Sequence, residues 1–115
     1  GRLYQDIVAE SGPVMCPERR IFLRQPPNGE WYPDIARRLS GWIADLNPVR
    51  PALVISHGIT ARVLRGALVG GTPFEPGCVP LANDAPQGTV FRIDAGREEP
   101  IHVGHGSVDG KAKGF

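Results

Sequence analysis

Apolar positions recur with two different periods along this chain, and the switches between them outline its elements. From Leu3 to Glu10, the residues Leu3, Ile7 and Val8 share one face of a short helix, which Ser11-Gly12-Pro13 ends. Pro13 to Gly29 is predicted to be mostly loop, with Ile21-Phe22-Leu23 forming either one helical turn or a short pairing segment. The strongest helical pattern follows, with Ile35, Leu39, Trp42, Ile43 and Leu46 forming one stripe. Pro33 suits its first turn, Asp34 suits the positive end of its dipole, and Asn47-Pro48 stops it.

The period then changes. Ala52-Leu53-Val54-Ile55-Ser56 is a continuous apolar run of strand length, the pattern of a strand buried on both faces. His57-Gly58 makes a turn, and Thr60 to Val69 reads as a helix with Ala61, Leu64, Ala67 and Leu68 on its apolar side. Helix, buried strand, glycine turn and helix together predict an α/β unit with a parallel strand. A loop rich in Pro and Gly runs to Gly88. Thr89 to Ile93 and Pro100 to Val103 then flank Asp94-Ala95-Gly96-Arg97, which reads as a hairpin. The polar, glycine-rich stretch 104–115 reads as a flexible tail, leaving residues 1–103 as the folded domain.

Composition narrows the function classes. The 115 residues carry 13 Lys and Arg against 12 Asp and Glu, a net charge of +1 that argues against nucleic acid or an anionic membrane surface as partner. No apolar run approaches a membrane span of about 20 residues. Two cysteines, Cys16 and Cys78, cannot frame a disulfide scaffold and fit a reducing, cytoplasmic setting.

The candidate chemistry centres on Ser56-His57-Gly58. An open α/β sheet binds ligands at the carboxyl ends of its strands, and His57 is predicted to sit at such an end. The helix that follows directs free N–H groups to the same place, which favours an anion, and Gly58 lets the backbone approach closely. A histidine there can donate to phosphate, act as acid or base, or attack as a nucleophile, or it can fill the turn and bond to backbone. His102-x-x-His105 has half of a metal-site spacing, with Cys16 or Cys78 as further ligands. On a continuous strand, however, residues three apart point to opposite faces, so no metal site is expected. Cys78 reads as a small apolar residue, Arg37-Arg38 as a solvated helix face, and Arg19-Arg20 with Arg24 as either a solvated loop or a contact for an anionic substrate.

The stretch from Ala52 to Arg65 resembles the second-histidine motif of the histidine phosphatase superfamily, also called phosphoglycerate mutase-like. There a hydrophobic strand leads to Ser-His-Gly and a helix bearing arginine five residues after the histidine, the place Arg62 holds here. Pro27 to Asp34 resembles the family's Pro-x-Gly-Glu-Ser segment, with Trp31 where serine is frequent. Pro86-Gln87-Gly88-Thr89-Val90 resembles the segment carrying phosphate-contacting groups. Gly1 to Glu10 looks like the tail of the family's Trp-Glu-Gly segment.

The resemblance implies a three-layer α/β/α fold and phosphoryl transfer or hydrolysis on small phosphomonoesters through a phosphohistidine. His57 is then the second, phosphate-stabilising histidine, with Gly58 and Gln87 contacting phosphate and no metal or organic cofactor. Glu30 has two readings, a proton donor to the leaving group or a carboxylate stabilising the entry to the helix at Pro33. The family's nucleophilic Arg-His-Gly motif does not occur in these 115 residues. The expectation is therefore the C-terminal half of such a fold, truncated at its N-terminus and inactive alone. Such a half is expected to associate with itself or with a missing N-terminal half. The rival reading is a non-catalytic anion-binding or assembly domain on the same fold.

Overall fold

A computed structural model of the chain describes residues 3–106. It holds three helices, α1 (Tyr4–Ser11), α2 (Tyr32–Ala44) and α3 (Gly58–Val69). Its four strands are β1 (Met15–Cys16), β2 (Ile21–Phe22), β3 (Val90–Asp94) and β4 (Arg97–His102). The flexible tail expected over 104–115 lies mostly outside the described residues.

The core is a helix pair with a loop wedged against it. Tyr32 and Leu39 of α2 and Val63 and Leu64 of α3 are buried together with Val79 from the loop after α3. Helix α2 begins as its sequence requires: Trp31 N–H donates to the Asp34 carboxylate at 2.8 Å, satisfying one of the donors that a helix start leaves open. Tyr32 is the hub. Its ring meets those of Trp31 and Phe74 edge-on at 4.7 and 4.8 Å. Its hydroxyl accepts from Phe22 N–H at 2.7 Å and donates to Phe22 C=O at 3.2 Å, tying α2 to β2.

The inward face of α3 differs from the expected one. Val63 and Gly66 are buried, whereas Ala67 is exposed. Gly66 is the reason. The Pro80–Leu81 backbone lies directly on it, and a Cβ there would stand 2.6 Å from Pro80 C and 2.9 Å from Leu81 N. The loop's seat on α3, closed by Ala82 N–H donating to Arg62 C=O at 3.0 Å, rotates the helix toward Val63 and away from Ala67.

The described residues form two separate two-stranded antiparallel sheets. Of the two options for residues 21–23, the pairing segment forms: Met15 opposes Phe22 and Cys16 opposes Ile21. The β3–β4 hairpin turns through Ala95 (φ +49°) and Gly96 (φ +75°), the left-handed pair that matches the twist of a two-residue hairpin. Strand β4 starts earlier than its apolar pattern suggested, at Arg97, and Pro100 is tolerated beside a bulge at Val90/Phe91. Arg65 clamps the hairpin to α3. It pairs bidentately with Glu98 at 2.6 and 2.9 Å, and its guanidinium lies 3.7 Å from the Phe91 ring centroid.

One expected element does not form. The run 52–56 forms no strand, and all five residues are exposed, Leu53 at 86% and Ile55 at 92%. A strand apolar on both faces is stable only between neighbouring strands and under covering helices. Here α2 and α3 pack on each other, and no strand of the described residues lies beside the run. The α/β character is retained in the sense of mixed helices and strands, but the parallel unit around 52–56 is absent.

Candidate anion-binding site

His57 is the residue before α3, with extended backbone (φ −152°, ψ 166°), and it is exposed. Its carbonyl accepts the first helical bond, from Ala61 N–H at 3.4 Å. Gly58 opens the helix at φ +60° with no atom within 4 Å of a hypothetical Cβ, so glycine serves the backbone angle there and not a close contact. Among the described residues, the N–H groups of Gly58, Ile59 and Thr60 meet no acceptor, and the His57 imidazole makes no hydrogen bond. The result is an outward-facing corner of backbone donors at a helix start, with one imidazole beside it. It can bind an anion on one side, but no carboxylate of the described residues orients the imidazole for acid–base work.

The other candidates lie apart from this corner. The Glu30 carboxylate pairs bidentately with Arg38 at 3.0 and 3.1 Å, across the exposed start of α2. The helix-entry role read for Glu30 is taken by Asp34, whose carboxylate reaches the Trp31 N–H directly. Gln87 is exposed and acts through its backbone, its carbonyl accepting from Gly106 N–H at 3.2 Å. Among the described residues, no hydrogen bond or ion pair joins Glu30, His57 and Gln87. Arg37 and Arg38 face outward as expected, with Arg37 3.4 Å from Asp34.

Arg62 turns inward. Its guanidinium donates to Ala82 C=O at 2.9 Å, Arg20 C=O at 2.8 Å and Arg19 C=O at 3.3 Å, gathering two loops onto α3. Burial pushes its pKa down, and the nearby Asp84 carboxylate acts in the opposite sense. Beside it lies a cavity of about 290 Å³ lined by Arg19, Arg20, Arg62, Phe74 and Asp84 among others. Arg20 is held there by Asp84 at 2.7 Å, and Arg19 by Glu75 C=O at 3.2 Å and the Phe74 ring. Arg24 does not line this cavity; its guanidinium lies beside Gly12.

No family model, curated protein or solved structure matches the chain. The site therefore rests on its own geometry. Sequence periodicity places His57 between the carboxyl end of a buried strand and a helix start. The helix forms from Gly58 but the strand does not, so His57 ends no sheet strand. Periodicity does not show that Arg62, on the same helix, directs its guanidinium to three loop carbonyls. A side chain's partner is set by loops distant in sequence, here residues 19–20 and 82. The only signal was the adjacent pair Arg19-Arg20, far from His57 along the chain.

Proposed function

We propose that this chain supplies the second-histidine corner of a phosphoryl-binding site of the histidine phosphatase type, acting on small phosphomonoesters. The observation that supports it is the conjunction at one helix start: an exposed His57 imidazole and the N–H groups of Gly58, Ile59 and Thr60, all without a partner among the described residues, and Gly58 at φ +60°. In this reading the imidazole and the helix donors take one face of a phosphoryl group. Phosphoryl transfer spreads charge over three equatorial oxygens and needs several positive groups converging on them. Arg62 and Arg65 are engaged elsewhere, by loop carbonyls and by Glu98, so the corner alone binds and does not turn over. The three-layer arrangement belongs to the same reading: the exposed run 52–56 would join a parallel sheet when neighbouring strands are supplied.

Inorganic phosphate tests the corner. At ten times its Kd, phosphate stabilises the chain by about 1.4 kcal/mol through mass action. The rise in Tm over an ionic-strength-matched chloride control is expected in the wild type and lost in His57→Ala. An equal rise in both proteins removes His57 from the site. Turnover of a phosphomonoester by the pure chain, abolished by His57→Ala, would overturn the claim that the corner alone is inactive.

A further inference from the structure

His102 and His105 are the chain's only histidines besides His57. Alternation along a continuous strand separates their rings, but β4 ends at His102. The chain then bends, bringing the two imidazoles to 6.5 Å between ring centroids at 85°. Both residues are exposed, whereas Gly104 and Gly106 around His105 are not.

The bend is held from several sides. Gly104 N–H donates to Thr89 Oγ1 at 3.1 Å, and that hydroxyl donates to Pro86 C=O at 2.6 Å. Gly106 N–H donates to Gln87 C=O at 3.2 Å. A Cβ at Gly104 would stand 2.6 Å from Gly88 C, and one at Gly106 2.9 Å from the Gln87 carbonyl oxygen. The 104–106 backbone is thus pressed onto residues 87–89 at the two positions flanking His105, and the side chain between them is presented outward beside His102.

We propose that His102 and His105 form a two-histidine site for a borderline divalent transition-metal ion. The donor set is two neutral imidazoles, which suit Ni²⁺, Cu²⁺ and Zn²⁺ and not the hard, oxygen-seeking Ca²⁺ or Mg²⁺. With metal–nitrogen bonds of about 2.0–2.1 Å, two imidazoles on one ion in tetrahedral or cis-octahedral geometry stand roughly 4.5–5.3 Å apart between ring centroids. The observed 6.5 Å is wider by about 1 Å, which a small χ1 adjustment of the two exposed rings closes while χ2 rotation turns the nitrogens inward. Among the described residues, no group of three or more His, Cys, Asp and Glu side chains is placed to hold a metal, so water completes the coordination. The site is therefore open, of modest affinity, and dependent on both rings.

The experiment is a Ni²⁺ titration of the full 115-residue chain, read by paramagnetic broadening of the three histidine ring signals. The His102 and His105 signals are expected to broaden together, at Ni²⁺ concentrations at least tenfold below those that affect His57. His102→Ala and His105→Ala are each expected to weaken binding at least tenfold. A third variant, Gly104→Ala, alters the bend without removing a ligand and is expected to weaken binding while leaving both imidazoles present. Parallel broadening of all three histidines, or binding that survives either ligand substitution, overturns the proposal.

Discussion

Gly41 and Gly66 are both helical glycines, and the structure assigns opposite signs to the same substitution at the two. Intrinsic propensity favours alanine over glycine in a helix interior by about 0.8–1.0 kcal/mol. Gly41 lies on the exposed side of α2 with no atom within 4 Å of a Cβ, so Gly41→Ala is expected to realise most of that gain. At Gly66 the added methyl meets backbone, 2.6 Å from Pro80 C and 2.9 Å from Leu81 N. Backbone cannot rotate aside as a side chain can. Either α3 or the 80–82 segment must retreat by about 1 Å, straining the bonds from Arg62 to Ala82. Overpacking of this kind costs about 1–3 kcal/mol, and a backbone obstacle places the cost in the upper part of that range. After the propensity gain, Gly66→Ala is expected to lose about 1–2 kcal/mol. For a chain of this length, that lowers Tm by roughly 4–10 °C. Thermal and urea unfolding of the two variants beside the wild type decide the matter. If Gly66→Ala is stabilised like Gly41→Ala, the loop after α3 does not rest on the helix, and the packing described around Val63 and Val79 is wrong.

Three further outcomes follow from the same contacts. Glu98→Gln leaves the Arg65 guanidinium, only 13% exposed, without its counter-charge and is expected to cost about 2–4 kcal/mol in urea unfolding. Burial pushes the Tyr32 phenol above its ordinary value near 10, so its contribution is complete below that pH and is lost as pH rises through the higher folded value. Stability should therefore fall between pH 10 and the folded pKa, and Tyr32→Phe should remove that component while costing about 1–2 kcal/mol at neutral pH through the unpaired Phe22 N–H. Leu53→Ala, which would cost about 2–5 kcal/mol in a buried strand, is expected to change stability by less than about 0.5 kcal/mol in the isolated chain.

What the sequence disclosed, and what it concealed, follows from the range of the forces involved. Helices α2 and α3 and the hairpin were legible because their signals are local: Asp34 near a helix start, a sustained apolar stripe, and Ala95-Gly96 between strand-like runs. The run 52–56 has equally strong local character, yet pairing is a relation between strands, and no neighbour lies beside it. Val63 and Gly66 replaced Ala67 on the inner face because residues 80–82, distant in sequence, decide how α3 is rotated. His57 was legible as a residue at a helix start. Glu30 and Gln87 were named through resemblance, and the structure sets Glu30 against Arg38 and gives Gln87 a backbone role beside Gly106. The approach of His102 to His105 is hidden for the opposite reason, since strand alternation does not hold over the three residues past the end of β4.

The central claim is that the start of α3 holds phosphate. Amide and ring NMR signals of the full chain, followed through a titration with inorganic phosphate at constant ionic strength, test it most directly. Saturable shifts confined to the His57 ring and the Gly58, Ile59 and Thr60 amides, and lost in His57→Ala, are the expected result. Shifts that instead centre on Arg19, Arg20 and Arg62, or that spread evenly over all three histidines, contradict it.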